Sequence, residues 1–396
     1  MYSINQNRVQ KYNRLDGFLS QAGIDALVCM LPENVVYLTG TYPVHGVSVA
    51  VYLPGGTVEL LQPECEQQWV EPEIAEVTLF GWGHFSDDQL EDTYAIFLSR
   101  IAEKYELKGR RIGVEKDIST CAPAYRSAEM NLPNAAWISL ISTCITGCQL
   151  ADCRPVIEAA RSIKQGEDLE RIRLANRVAS LGLDELRRQI HPGMTEVEAA
   201  SLVESTIRVN GTGLGGSRLV RAFAEVTSGP EGSRQQSMLI PAGQRKFTQG
   251  DLVIIELATV VDGYWSDLTR VYCAGEPDSE QKRVFNTVLE AQRAAGAALR
   301  SGSPASAPDA AARKVITTAG LGQYFIHGTG HGVGWRYHES IPQLGPETDN
   351  FVLEEGMVTS VEPGVYIPGF GGIRIEDNLV VGKTGGEWLS TPEEKW

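Results

Sequence analysis

Two apolar runs separated by a two-residue turn stand out in the second half of the 396-residue chain. Residues 252–261 are rich in valine and isoleucine, and residues 264–272 return with alternating polar side chains. Asp262 and Gly263 lie between the runs, and Asp-Gly is typical of a type I′ turn, whose two central residues need positive φ angles. The pattern predicts a β-hairpin whose turn fixes which residues face each other.

The predicted register places two acids on one face of this hairpin. Counting back from the turn, Asp267 lies opposite Ala258, and Thr269 lies opposite Glu256. Side chains alternate between faces, so Glu256 and Asp267 are diagonal neighbours roughly 7–8 Å apart. Two carboxylates in apolar strands are costly to bury unless a cation lies between them. The hairpin therefore predicts a cation site. The alternative is that one of the two acids faces water on an exposed face of the sheet.

Helix and strand patterns alternate over the first 155 residues. Apolar residues at helical spacing predict helices over 9–22, ended by Gly23, and over 90–105. Short apolar runs predict strands at residues 24–30, 47–53, 58–61 and 111–114. Such alternation is typical of a small α/β domain, which we place at residues 1–155.

The pattern changes near residue 155 to long helices followed mainly by strands. Glu167 and Asp168 favour a helix N-terminus, and Thr195 with Glu198 forms a capping box that opens a helix to about residue 208. Further helices are predicted over 281–299 and 309–318. Because one core rarely serves 396 residues, we expect a second domain over residues 156–396.

Composition narrows the class of protein. The formal net charge of -15 argues against nucleic acid and anionic membranes as partners. The N-terminus lacks the apolar region of a signal peptide, and no apolar run approaches the roughly 18 residues of a membrane span. Seven scattered cysteines are typical of reduced thiols, and the spacing of Cys144, Cys148 and Cys153 does not suit a zinc knuckle. These features predict a cytoplasmic globular protein.

Histidines cluster in one glycine-rich segment, HGTGHGVGWRYH, which contains His327, His331 and His338. Its glycines make a helix unfavourable and let the backbone bend closely around a small group. Three histidines within twelve positions favour a ligand or catalytic role over a surface role. Another aromatic and glycine-rich loop, FGWGHF at 80–85, could touch a substrate, although a packed surface loop is the default interpretation.

Two more acids follow in apolar strands. Glu362 directly follows the apolar run 357–361. Glu376 lies inside a strand predicted over 371–381. It is two residues after Arg374 and so on the same face of that strand. An arginine beside a buried carboxylate orients the carboxylate and lowers its pKa. The alternative is that Arg374 and Glu376 form a purely structural ion pair. Four carboxylates and an imidazole in one buried site require metal, and this oxygen-rich donor set suits two divalent ions of manganese, cobalt, iron or zinc. Such a pair generates a nucleophile at neutral pH, so hydrolysis of an amide or related bond is the natural reaction.

At this point the chain resembles a known family. Its motifs are similar, in kind and order, to those of the pita-bread metallopeptidases, which include Xaa-Pro aminopeptidases, prolidases and, more distantly, methionine aminopeptidases. In chain order they are the strand acid Glu256, SDLTR, GTGHGVG, VEPGVY and IRIED. RVQKYNRLDGFLSQAGIDALVCMLPENVVYLTG resembles the creatinase/prolidase N-terminal domain. The resemblance implies an α+β protein with a C-terminal pita-bread fold, a curved and mostly antiparallel sheet flanked by helices. A smaller α/β N-terminal domain would precede it.

The resemblance also implies a ligand set. Asp267 and Glu376 would bridge two metal ions, His331 and Glu362 would complete one ion, and Glu256 would chelate the other. The ions would be manganese, with cobalt, zinc or iron as alternatives.

Catalytic roles follow from the same resemblance. Glu362 would shuttle a proton to and from the attacking water, His331 would serve the reaction as a metal ligand, and His338 would bind the substrate carbonyl or the oxyanion. Arg374, Tyr366 and His327 would support the ligands or line the substrate site.

The implied function is a metal-dependent hydrolase, an Xaa-Pro dipeptidase or aminopeptidase that uses a hydroxide bridging the metals and acts as a homodimer. One alternative is a creatinase-like hydrolase or lyase of a small non-peptide substrate, with an altered or single-metal site. The other is an inactive, peptidase-like binding module.

Two departures from the family pattern affect the chemistry. Glu256 stands where the family has aspartate, and the extra methylene moves the carboxylate by about one bond length, against metal-distance tolerances of about ±0.2 Å. Prolyl-specific members usually carry a histidine on the loop before the first ligand strand, whereas the loop 228–246 has none. We expect these changes to weaken one metal position and Xaa-Pro cleavage while leaving the fold intact.

Overall fold

The computed structural model describes residues 4–70, 76–81, 90–116, 135–232 and 242–394. The chain divides into two compact units, the first ending at Arg161 and the second beginning at Ser162. The boundary proposed from the sequence, between residues 155 and 156, falls inside the last helix of the first unit. That helix packs on the N-terminal helix, and Arg14 Nη2 donates to the Ala159 carbonyl at 3.3 Å, so it stays with the first unit.

The first unit is a six-stranded mixed sheet with helices. Its helices are α1 (Ile4–Ala22), α2 (Pro32–Thr39), α3 (Leu90–Lys104), α4 (Ala135–Cys144) and α5 (Arg154–Arg161). Its strands are β1 (Ala26–Cys29), β2 (Val49–Leu53), β3 (Thr57–Pro63), β4 (Glu76–Phe80), β5 (Arg111–Val114) and β6 (Gln149–Asp152), in the order β4-β3-β2-β1-β5-β6. The predicted helices and strands of this unit are all present, and the loop residues 82–85 lie outside the described ranges.

The second unit combines helices with antiparallel sheets. Its helices are α6 (Glu167–Gln189), α7 (Glu196–Gly211), α8 (Gly229–Gly232), α9 (Ser279–Ala298) and α10 (Ser306–Thr318). Its strands are β7 (Val220–Ser228), β8 (Leu252–Val261), β9 (Tyr264–Cys273), β10 (Gly330–Gly332), β11 (Glu339–Leu344), β12 (Val358–Val361), β13 (Gly364–Ile367), β14 (Gly371–Arg374), β15 (Asp377–Val381) and β16 (Gly386–Trp388). They form sheets in the orders β7-β8-β9, β11-β10-β12-β15-β16 and β13-β14, and every ladder between these described strands is antiparallel. The predicted capping box is present: Thr195 Oγ1 accepts from the Glu198 amide, and Glu198 Oε2 accepts from the Thr195 amide.

The hairpin β8-β9 has the predicted register. Asp262 and Gly263 have φ angles of 50° and 89°, and Ala258 faces Asp267 as the two-residue turn requires. Val253 and its alternate neighbours pack in a core with α6 and α7, whereas Ile254 packs in a second core with α9 and α10. Both faces of the hairpin are buried, which excludes the alternative in which one acid faces water.

One strand prediction is wrong in detail. Glu376 does not lie inside a continuous strand, because β14 ends at Arg374 and β15 begins at Asp377. The chain leaves the β13-β14 ladder here and joins β12, so the Glu376 amide donates to the Thr269 carbonyl of β9 at 3.1 Å. In the described residues, no helix is long and apolar enough to cross a bilayer.

Candidate metal centre

All five predicted ligands lie together in the second unit. Their ligand atoms form three overlapping groups, each with atoms within 4.8 Å of one another: Asp267, His331 and His338; His331, Glu362 and Glu376; and Glu256, Asp267 and Glu376. All of the five predicted ligands are at most 7% exposed, so nearly all of this charge is removed from solvent.

Backbone contacts between sheets bring the acids together. Asn378 of β15 clamps Asp267, accepting from its amide at 3.0 Å and donating to its carbonyl at 2.8 Å. The Glu362 amide donates to the Thr329 carbonyl at 2.8 Å, which joins the end of β12 to the start of the histidine segment. The positions of Asp267 and Glu362 are therefore fixed through hydrogen bonds to their main chains.

The glycines beside His331 serve sheet packing. A Cβ on Gly330 would lie 2.0 Å from the Ser360 carbonyl oxygen, and one on Gly332 would lie 2.2 Å from that of Ile341. Only glycine lets β10 fit between β11 and β12 at this depth. The sequence interpretation, in which these glycines wrap around a small group, was wrong: the close neighbours are other strands.

The orientation of His331 leaves one nitrogen for a cation. Its Nδ1 lies 2.9 Å from the Gly332 carbonyl oxygen, which requires a proton on Nδ1. Its Nε2 lies 3.3 Å from both Asp267 Oδ2 and Glu362 Oε1. A nitrogen that faces two carboxylate oxygens needs a cation or a proton between them, and a carbonyl that fixes the other nitrogen is the usual support of a metal-ligating histidine.

Several buried atoms of this cluster have no hydrogen-bond partner within the described part of the chain. They are Asp267 Oδ1 and Oδ2, Glu376 Oε1, His331 Nε2 and His338 Nε2. Buried polar atoms are almost always satisfied, so a concentration of unsatisfied acceptors identifies a place for a bound group. Carboxylate oxygens with one or two imidazole nitrogens are a donor set that fits a divalent metal ion.

The electrostatics of the cluster also favour a cation. Burial, joined by the charges of Asp267 and Glu362, raises the pKa of Glu376 well above its usual value. Burial raises the pKa of Glu362 to about 7. Burial alone would lower the pKa of His331, but Asp267 and Glu362 raise it to about 9. Burial would raise the pKa of Asp267, but the neighbouring imidazoles hold it below its usual value.

Glu256 has different surroundings from the other acids. Its Oε1 accepts from the Tyr337 hydroxyl, and its Oε2 accepts from Arg374 Nη2 and lies 2.6 Å from Thr269 Oγ1. Arg374 therefore pairs with Glu256, and not with Glu376 as the sequence suggested. The reason is three-dimensional: β14 packs against β8, which places the guanidinium beside Glu256.

Arg374 continues into a chain of buried polar groups. Its Nη1 donates to the Tyr366 hydroxyl at 2.8 Å, and that hydroxyl lies 3.0 Å from His327 Nε2. His327 Nδ1 lies 2.7 Å from the Gly328 carbonyl oxygen, so Nε2 accepts the Tyr366 proton. Burial, with the nearby Arg374, lowers the pKa of His327 to about 4, which keeps this imidazole neutral.

His338 lies at the edge of the cluster. Its Nε2 is 3.4 Å from Asp267 Oδ2, and its ring stacks on Tyr337 with centroids 4.4 Å apart. Burial, together with His331, lowers the pKa of His338. The neutral ring lies beside the unsatisfied acceptors, where it can donate to or bind a further group.

Two contributors were not identified as site residues from the sequence. Thr269 Oγ1 lies 2.7 Å from Glu376 Oε2 as well as close to Glu256, and the hairpin register alone could have found it. Tyr337 precedes a candidate histidine but carries no pattern of its own. Its contact with Glu256 depends on the fold of the histidine segment.

Comparison with known proteins agrees with this geometry. Residues 170–383 match the model of metallopeptidase family M24, and residues 11–163 match that of the creatinase/prolidase N-terminal domain. The chain belongs to metallopeptidase family M24.

Individual relatives cover nearly the whole chain. The Xaa-Pro dipeptidase of Pyrococcus furiosus is 29% identical over 388 residues, which are 98% of this chain and 99% of that protein. The crystal structure of a dipeptidase from Pyrococcus horikoshii matches with a TM-score of 0.76 at 28% identity, covering 97% of this chain and 99% of the other. An Xaa-Pro dipeptidase from Bacillus anthracis matches with a TM-score of 0.78 at 26% identity, covering 98% and 99%.

These findings confirm several sequence predictions. The fold is an α+β pita-bread domain preceded by a smaller N-terminal domain of creatinase type. The protein is a hydrolase of a metallopeptidase family whose members use divalent metal ions.

Proposed function

We propose that the protein is a metal-dependent Xaa-Pro dipeptidase or aminopeptidase. One observation carries this proposal. Asp267, His331 and Glu376 have buried ligand atoms that find no hydrogen-bond partner among the described residues. Relatives named Xaa-Pro dipeptidase that span 98% of the chain support the substrate class. The same relatives make a creatinase-like or an inactive protein the less favoured interpretation.

The ion would be held by Asp267, His331, Glu362 and Glu376. When bound, a divalent ion acidifies water and polarises a carbonyl group. Manganese suits this oxygen-rich set with one imidazole, and cobalt, zinc and iron are the alternatives. The resemblance adds a second ion, with Glu256 as its chelator.

The side chains around the ion supply proton transfer and orientation. Glu362 takes a proton from the attacking water and gives it to the leaving amine. His338 donates from Nε2 to the oxygen that gains charge at the scissile carbonyl. The chain of His327, Tyr366 and Arg374 holds the surrounding carboxylates in place.

The loop before β8 bears on specificity. It contains no histidine between residues 228 and 246, and residues 233–241 of it lie outside the described ranges. Recognition of a prolyl substrate would therefore rest on other groups, and we expect broader selectivity among short peptides than in members that carry that histidine.

Three further properties belong to the same proposal. A homodimer is supported by the family resemblance, and light scattering on the purified protein would test it. A cytoplasmic location is supported by the described cysteines, all of which are free thiols. Manganese is supported by the donor set alone.

A peptide panel tests the function. Protein stripped with a chelator and reloaded with Mn²⁺, Co²⁺ or Zn²⁺ would be incubated with Ala-Pro, Met-Pro, Ala-Ala and Ala-Pro-Ala. We expect ion-dependent release of proline from the Xaa-Pro dipeptides, and release of alanine from the tripeptide if the protein is an aminopeptidase. Metal-loaded protein that cleaves none of these peptides would refute the proposal.

A further inference from the structure

The two carboxylates of the hairpin are unequally available to a metal ion. Asp267 Oδ2 faces only the imidazoles of His331 and His338, and Oδ1 has no hydrogen-bond partner among the described residues. Glu256, by contrast, has both oxygens engaged by hydroxyl and guanidinium donors. Distance does not separate them, because a Glu256 oxygen also lies within 4.8 Å of ligand atoms of Asp267 and Glu376. The difference lies in the donors already bound to Glu256.

The donors on Glu256 oppose chelation of an ion by both of its oxygens. A carboxylate oxygen has two lone pairs. Oε2 meets Arg374 Nη2 and Thr269 Oγ1, and Oε1 meets the Tyr337 hydroxyl. An ion that took both oxygens of Glu256 would have to displace a guanidinium, which is the strongest of these donors.

Arg374 is itself fixed in place. Its side chain is 3% exposed, Nη1 donates to the Tyr366 hydroxyl at 2.8 Å, and Nε donates to Thr269 Oγ1 at 3.1 Å. Its backbone pairs with Gly364 in the β13-β14 ladder. A buried guanidinium that left these partners would be uncompensated, so displacing it is costly.

From this difference we propose that Arg374 takes the place of the second metal ion, so that each chain binds one ion tightly, between Asp267, His331, Glu362 and Glu376. The inference rests on the proposed function only in assuming a divalent ion at this cluster. The extra methylene of Glu256 serves to bring its carboxylate to Arg374 and Tyr337. Like charges close together in a buried site repel each other, so the guanidinium also disfavours a second cation beside it.

Ion stoichiometry tests this inference without any activity assay. Chelator-stripped protein would be titrated with Mn²⁺ alone in a calorimeter, and metal content after gel filtration would be measured by mass spectrometry. We expect one tight equivalent per chain, with any second equivalent weaker by about 100-fold or more. Two equivalents within tenfold of each other in affinity would overturn the inference, and so would no tight equivalent.

Paramagnetic resonance gives an independent readout. Mn²⁺-loaded protein should show the hyperfine sextet of an isolated ion at saturation. The broadened spectrum of a spin-coupled manganese pair would contradict the inference.

Matched variants locate the effect on Glu256. Glu256→Asp combined with Arg374→Gln shortens the acid and removes the guanidinium, and it should raise the tight stoichiometry from one to two. Tyr337→Phe alone keeps Glu256 paired with Arg374 and should still bind one ion. Glu376→Gln, which alters a proposed ligand, should weaken the single ion by about 100-fold. A double variant that still binds one ion would contradict the role given to Glu256.

The outcomes separate this inference from the proposed function. A chain that binds one ion and cleaves no peptide would refute the function and support the inference. A chain that binds two ions and releases proline would support the function and refute the inference.

Discussion

Glu115 in the first unit and Asp267 in the second are both buried carboxylates, 3% and 0% exposed, but they differ in their supply of donors. Glu115 Oε2 accepts from the Met30 amide at 2.9 Å, and Oε1 accepts from Asn34 Nδ2 at 2.5 Å. The Leu31 amide, 3.2 Å away, adds a further donor at the start of α2. Glu115 thus joins β5 to α2, which is a structural role.

Asp267 shows the opposite arrangement. Its main chain is held by Asn378, but its carboxylate faces only the imidazoles of His331 and His338, and no amide or hydroxyl of the described residues donates to it. Burial therefore does not distinguish a structural acid from a metal ligand. The number of hydrogen-bond donors around the carboxylate distinguishes them, because a buried charge needs either such donors or a cation.

Removing a proposed ligand should give the largest effect. Asp267→Asn keeps the shape of the side chain but removes its charge, so we expect loss of the ion. Because a metal ion contributes several kcal/mol to the transition state, kcat/KM should fall by about 10³-fold or more. Metal analysis and steady-state kinetics on Ala-Pro would measure both. Glu115→Ala is the matched control and should retain the ion; normal metal content in Asp267→Asn would contradict the comparison.

Changing His338 should affect catalysis more than metal binding. His338→Phe removes the proposed donor to the oxyanion, so kcat should fall by roughly 10²-fold to 10³-fold. Metal content should stay as in the unmodified protein. If the variant lost its ion as well, His338 would be a ligand, as its place in a group with Asp267 and His331 also allows.

Metal binding should stabilise the chain through the Asp267 cluster alone. An ion at 100 times its dissociation constant adds about 2.7 kcal/mol to the free energy of unfolding. Calorimetry should show Mn²⁺ raising the Tm by several degrees in the unmodified protein and in Glu115→Ala. Asp267→Asn should show no such rise, and an equal rise in all three proteins would place the ion elsewhere.

The smallest effect concerns Glu115 and pH. Burial raises the pKa of Glu115 to about 7 from 4.5, so the folded state binds more protons than the unfolded state between these values. The stabilisation is fully present below pH 4.5 and is lost as pH rises through about 7, a change of about 3 kcal/mol. Glu115→Gln mimics the protonated acid and should flatten this part of the pH profile of the Tm. An unchanged slope in the variant would contradict the assignment.

The features that the sequence predicted correctly are those set by residues close together in the chain. The Asp262-Gly263 turn gave the register of β8 and β9, and the Thr195 capping box gave the start of α7. Motif order gave the family, since the ligand residues occur in the sequence order of the resemblance.

The sequence could not predict contacts between separate ladders. Arg374 was placed beside Glu376 by strand alternation, but the chain leaves the β13-β14 ladder between these residues, and the guanidinium meets Glu256 instead. The contact of Tyr337 with Glu256 was equally hidden, because 81 positions separate them. The helix α2 was missed because eight residues give too short an apolar pattern.

Anomalous scattering from crystals of the protein soaked in Mn²⁺ tests the central claim most directly, because it locates the ion without reference to activity. We expect one strong peak per chain, within bonding distance of Asp267, His331, Glu362 and Glu376, and none beside Glu256 and Arg374. The absence of a peak among those four side chains would contradict the assignment of the unsatisfied buried atoms as metal ligands.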